Sequence, residues 1–386
     1  MASVCYQVNL QRGFGGGELY TAFFGRALEA LGVRSVLFGH PDALYWGRHL
    51  PAGTQVIPVE RVEAIGRHLP HRSSWLAFHT PAPEAEVAPL RSAGHRLTAF
   101  VHMPLYGRDP ASLRAYEVLF AVSGHVLASL RAAGMTNVYP DPLYGVAHLE
   151  GRGEEDSPLR AASPYDWDRR KLRDRLFGIG YHLYDHHRKR PAYARLPGIV
   201  LGIVSRLTPI KQFPLLFRIL VPVLARHPQF RVEIFGAGGY ASVRDLRRAL
   251  APLRDRARFW GAQAHVGAVY RRLDYLMTGL PEKEALGLNV LEAQACGCPV
   301  LAVDAPPFTE TVAPGITGLL YPDPRGDRGA GFERLLARLA SAPFRIDRAA
   351  AASHLARFTP EAFRARVATL LSWLDNRGLL PESAPE

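Results

Sequence analysis

The chain is poor in cysteine. Its three, Cys5, Cys296 and Cys298, cannot build a disulfide framework. Cys296 and Cys298 flank Gly297 at an expected helix-to-strand turn and read as small buried residues, not metal ligands. This usage fits a reduced, cytoplasmic setting. A run of about 18 apolar residues is also missing, so no transmembrane helix is expected. The opening Met1-Ala2-Ser3-Val4-Cys5 has no basic segment and leads straight into a strand, which argues against a signal peptide. Acidic residues are in deficit: 35 Asp and Glu stand against 47 Lys and Arg, a net charge of +12. Such an excess suits an anionic partner, whether nucleic acid, phospholipid surface or phosphorylated substrate. It equally suits an arginine-rich composition with no functional meaning. Nucleic-acid motifs are absent and the basic residues are scattered, so no nucleic acid is expected.

What is present suits two globular domains in 386 residues, with 48% hydrophobic content for two cores. Strands are expected at Ser3–Asn9, Ser35–Phe38, Gln55–Val59, Trp75–Phe78, Leu97–Val101 and Val118–Val122, with helical patterns between several of them. That alternation predicts an α/β layer with a mostly parallel sheet, which binds ligands at the carboxyl ends of its strands. After the first strand comes Gly13-Phe14-Gly15-Gly16-Gly17-Glu18, then an amphipathic helix over Leu19–Leu31. A glycine-rich loop there lets backbone approach a ligand closely. It is not a dinucleotide fingerprint, because Glu18 occupies the third glycine position.

Residues 150 to 197 form the least regular stretch, linker-like and partly helical. Asp166 and Asp168 match a short D-x-D metal pattern, and His182, His186 and His187 have zinc-like spacing. Both read better as solvated helix, and no metal is expected. With Trp167, Tyr181, Tyr184 and many basic residues, the stretch suits contact with a membrane or an anionic acceptor.

The densest chemistry lies in Leu273–Leu320. A strand-like run ends at Met277. Glu284, a turn at Gly287, a helix from about Leu288, and Glu292 follow. The helix N-terminus offers free N–H groups and a positive dipole end to an anion such as a diphosphate. Glu292, one turn into that helix, can accept from a vicinal diol such as a ribose. Glu284 lies before it, near whatever the diphosphate carries.

Glu284, Gly287, Glu292, Ala293, Gly297, Pro299, Val300, Glu310 and Gly318 to Leu320 together resemble the pattern of family 4 glycosyltransferases, a retaining group with the GT-B fold and an E-x7-E motif. The resemblance implies two Rossmann-like domains facing a central cleft. The N-terminal, acceptor-binding domain would cover 1–195, and the nucleotide-sugar-binding domain 196–358. The segment 359–386 would be a helix crossing back to the first domain, followed by a disordered tail.

It also implies roles. Ser205-Arg206-Leu207 through Lys211-Gln212 resembles the family's phosphate loop, so Arg206 and Lys211 would hold the donor diphosphate, aided by Gly16, Gly17 and the N–H groups of Leu288 and Asn289. Ser205 and Gln212 stand where the family has glycine. Glu292 would hold the ribose, Gly287 would border the sugar, and Gly236 and Gln263 would contact the base. Glu284 and His102 would be catalytic; His79, in a similar context, is the main competitor of His102.

The implied reaction is transfer from a UDP- or GDP-linked sugar to a hydroxyl of a saccharide or lipid-linked acceptor, in bacterial glycan or glycolipid assembly. Configuration would be retained without a metal or cofactor, in the cytoplasm or at the inner face of the membrane. A nucleotide-sugar epimerase, a phosphorylase, and a basic non-catalytic binding protein are the competing readings.

Overall fold

The computed structural model describes residues 4–71, 73–147, 157–167 and 191–381. Asp168 and His182, His186 and His187 lie outside these residues, as do Tyr181, Tyr184 and the tail from 382.

The chain forms two compact units, one of Met1–Val146 with Ala356–Glu386, the other of Ala147–Leu355. The first contains strands β1 (Val4–Asn9), β2 (Arg34–Gly39), β3 (Gln55–Pro58), β4 (Trp75–Phe78), β5 (Arg96–Val101) and β6 (Val118–Ala121). They pair in parallel in the order β3-β2-β1-β4-β5-β6. The second contains β7 (Ile199–Val204), β8 (Phe230–Phe235), β9 (Ala257–Phe259), β10 (Tyr275–Met277), β11 (Val300–Val303) and β12 (Gly318–Tyr321). Their order, β12-β11-β10-β7-β8-β9, is the same doubly wound pattern. The strands beside the sheet centres include fully apolar ones, as strands covered on both faces favour: β4 and β11 are apolar and buried along their whole length.

In each sheet the strand order reverses at one point, between β1 and β4 and between β7 and β10. Loops leaving the carboxyl ends diverge there, which opens a crevice for a ligand. The helix Pro360–Asp375 belongs to the first unit and packs on the helix Gly16–Ala30. Thr359 caps it, its side chain accepting from the Ala362 N–H, with Pro360 at the first position.

The structure departs from several expectations. The units divide after Val146, well before residue 195. The segment 157–165 adds to the second unit because its backbone pairs there: Ala162 donates to the Trp260 carbonyl at 2.8 Å, and Gly238 to that of Pro164 at 3.0 Å. The first helix starts at Gly16, three residues early, because nothing prevents glycine from opening a helix whose next turns bury Tyr20, Phe23 and Phe24. Asp166 lies in extended chain, not a helix. Cys5 and Cys298 are buried, but Cys296 is half-exposed. Leu380, in the expected tail, is buried.

Candidate functional site

At the switch point of the second unit, the loop after β7 meets the loop after β10. Lys211, on the first, forms an ion pair with Glu284 on the second. Both side chains are half-buried, so water screens the pair only in part. Glu284 also accepts from the Ala285 N–H at 3.3 Å. Arg206, on the same loop as Lys211, is exposed, and its guanidinium has no partner among the described residues. One cation is therefore engaged and one is available.

Glycines bring these loops together. A Cβ on Gly279 would lie 2.1 Å from the Lys211 carbonyl oxygen, and one on Gly236 would lie 1.9 Å from that of Ser205. The sequence departs from glycine at Ser205, but the close approach is made from the facing side by Gly236.

Gly287, at φ 81°, turns the chain into the helix Leu288–Ala295. A side chain would be strained at this angle. The backbone N–H groups of Leu288 and Asn289 open the helix and have no intrahelical acceptor. The Asn289 side chain is not available to a ligand: it donates to the Val204 carbonyl at 3.0 Å, tying the helix to the end of β7.

One turn further, Glu292 accepts from the Tyr270 hydroxyl at 2.8 Å. Burial lifts its carboxyl from 4.5 to about 7, partly offset by the Tyr270 hydrogen bond. The carboxyl thus holds its proton more tightly than an exposed one and shares one oxygen with a fixed donor. Tyr270 was not foreseen, since a tyrosine ending a short helix carries no sequence signal of its own.

The base-side candidates are committed within the unit. Gln263 donates its amide to the carbonyls of Arg160 and Trp260, both at 2.9 Å, and the Gly236 N–H donates to Gly261 at 2.8 Å. Gln263 keeps its side-chain oxygen as an acceptor.

The first unit's switch point is built differently. Asn9, ending β1, is buried; it donates to the Thr21 hydroxyl at 2.9 Å and accepts from the Gln11 N–H at 3.2 Å. These bonds fix the glycine-rich turn, whose Gly17 lies against the His102 ring: a Cβ there would sit 3.9 Å from it. His102 follows β5 and His79 follows β4. Their rings stack 5.8 Å apart, with Phe100 4.5 Å from His79. His79 Nε2–H donates to Gln7 Oε1 at 2.8 Å, and Gln7 donates onward to Ser35 at 2.6 Å. His79 is therefore a buried, structural residue. Desolvation lowers both histidines, His102 from 6.5 to about 4, so both rings are neutral near pH 7. His102 Nε2 is buried with no partner among the described residues.

Residues 198–339, within the second unit, match the family described as glycosyl transferases group 1. A D-inositol 3-phosphate glycosyltransferase of Rhodococcus erythropolis is 32% identical over 183 residues, 44% of this chain and 40% of the relative. The chain thus spans well under two thirds of that relative. The same-named protein of Frankia alni is 28% identical over 342 residues, 79% of this chain and 82% of the relative. Among solved structures, Anabaena HepE in complex with UDP-glucose superposes with a TM-score of 0.69 at 20% identity, covering 96% of this chain and 100% of that one. This likeness concerns the fold, and with the two parallel six-stranded units it gives the GT-B fold.

Proposed function

We propose that the protein is a retaining glycosyltransferase that moves a sugar from a UDP- or GDP-linked donor to an acceptor hydroxyl. The observation that carries this reading is the cluster at the second unit's switch point: Arg206 with no partner among the described residues, Lys211 paired with Glu284, a glycine-initiated helix end, and Glu292 one turn in. Two cations and free N–H groups suit a diphosphate, and a carboxylate beside them suits the hydroxyls of the group it carries.

In this reading Arg206 and Lys211 stabilise the charge that develops on the leaving diphosphate, the largest kind of catalytic contribution. Leu288 and Asn289 N–H groups add to it; Gly16 and Gly17, which the resemblance gives the same role, open the first helix of the other unit. Gly287 leaves room beside the sugar. Glu292 binds the ribose through the oxygen that Tyr270 leaves available, and Gln263 and Gly236 lie on the base side. Glu284 leaves Lys211 as the diphosphate arrives and positions the sugar. His102, kept neutral by burial, offers an uncharged ring nitrogen. No metal or cofactor is assigned a role.

The first unit takes the acceptor, a saccharide or a lipid-linked hydroxyl, in bacterial glycan or glycolipid assembly. No helix among the described residues is long and apolar enough to cross a membrane; the proposed setting is the cytoplasm, with peripheral contact to its inner membrane face.

Thermal shifts against UDP, GDP, ADP and their sugar conjugates test this. A ligand at about 100 times its dissociation constant adds about 2.7 kcal/mol of stability. A selective shift, lost in Arg206→Ala and Lys211→Ala, is expected. No shift with any of them would overturn the reading.

A further inference from the structure

Lys211 is followed by Gln212, which sits at φ 54°, ψ 24°, in the left-handed region. A residue with a Cβ is disfavoured there, and the position joins Lys211 directly to the helix Phe213–Arg226. A bond that holds the residue there would offset this cost.

Such a bond is present. Gln212 Nε2 donates to Glu282 Oε2 at 3.0 Å. The other Glu282 oxygen pairs with Arg325. Arg325 is itself held by Asp323, which accepts from its Nε at 3.0 Å and from its backbone N–H at 2.9 Å. One chain of bonds therefore joins the loop after β7, the loop after β10 and the turn after β12. It runs beside the Lys211–Glu284 pair, one residue after Lys211 on the first loop and two residues before Glu284 on the second.

We infer that Glu282 and Arg325 act as a clamp, holding the Lys211 loop in its ligand-ready shape through the strained Gln212. These are positioning residues; none is assigned contact with the reacting atoms. The inference rests on the reading that this loop holds a diphosphate.

The competing account is a solvated charge network that holds nothing, as many surface ion pairs do. Glycine separates the two, because it adopts the left-handed angle without strain and so needs no clamp. Calorimetric titration with UDP and with GDP is the measurement. Glu282→Ala should weaken binding by about tenfold, the scale of a left-handed residue released from its partner. Gln212→Ala, which removes the bond but leaves the charges in place, should weaken it similarly. Gln212→Gly should bind within about twofold of the native protein, and Glu282→Ala added to Gln212→Gly should cost nothing further. Native affinity in Glu282→Ala, or an equal loss in the glycine background, would overturn the clamp.

Hydrogen exchange at the backbone amides of residues 210 to 213 reads the same device without ligand. Exchange should quicken in Glu282→Ala and in Gln212→Ala, but not in the glycine-background double variant. If the native protein binds neither nucleotide, the diphosphate reading fails, while the exchange pattern still decides the clamp.

Discussion

The two switch points share one strand order and carry opposite chemistry. In the second unit the loops after β7 and β10 hold charge: Lys211 against Glu284, Glu282 against Gln212 and against Arg325 of the turn after β12, and Arg206 with no partner among the described residues. In the first unit neutral rings gather at the ends of β4 and β5: His79 and His102 follow those strands, Phe100 lies in β5 and Tyr20 on the helix Gly16–Ala30, in van der Waals reach of one another. The same topology thus supports an ionic site where loops stay partly wet, and an uncharged one where burial strips histidine of its proton. Fold alone does not set the chemistry of a switch point; the burial of the loop residues does.

That contrast can be broken by substitution. The largest effect is expected from Glu284→Ala: folding and nucleotide binding persist, and transfer falls by about a thousandfold or more, measured as sugar transferred per enzyme. Freed of its partner, Lys211 should hold a diphosphate at least as tightly as before. Retained transfer would remove Glu284 from its assigned role.

Next come Arg206→Ala and Lys211→Ala. Each should raise the dissociation constant for the nucleotide by about ten- to a hundredfold, since each removes a charge-assisted contact. Arg206 has no internal partner to lose, so its variant should keep native thermal stability, whereas Lys211→Ala leaves Glu284 half-buried and unpaired and should melt lower.

The pH dependence of stability sharpens the comparison. Glu292 binds its proton more tightly folded than unfolded, so its share of stability is complete below pH 4.5 and is lost as pH rises through about 7. Because the side chain is partly exposed, this share is on the order of 1 kcal/mol. Glu292→Gln should match the native melting temperature at pH 4 and exceed it at pH 8, with weaker nucleotide binding at both.

His102 works in the other direction and gives the smallest effect. Its lowered value means that the folded state resists protonation, so its cost appears as pH falls from 6.5 toward 4. His102→Phe should flatten acid unfolding in that window, by about 1 kcal/mol. An unchanged acid limb would mean that the ring is protonated in the folded protein.

Much of the second unit could be read before any coordinates. The glycine turn at Gly287, the helix after it and the two carboxylates occur close together in sequence, and the helix starts at Leu288 as expected. Local chemistry governs such features: a left-handed turn favours glycine, and Gly287 there opens the helix. The strands of the first unit were read to within a residue or two, because buried parallel strands are short apolar runs.

What local pattern could not show was pairing across distance. That Lys211 faces Glu284, that Tyr270 holds Glu292, and that His79 is spent on Gln7 while His102 Nε2 stays unpaired all depend on which loops the sheet order places side by side. The same holds for Gly236 and Gly279, whose missing side chains make room for backbone far away in the chain. The sequence by itself determined the elements, their parallel arrangement and the residue types at the loop ends, because periodicity and turn chemistry act within a few residues. Only the tertiary structure decided which charges meet and which histidine is neutral and unengaged, because ion pairing and desolvation depend on neighbours that the chain brings together only when folded.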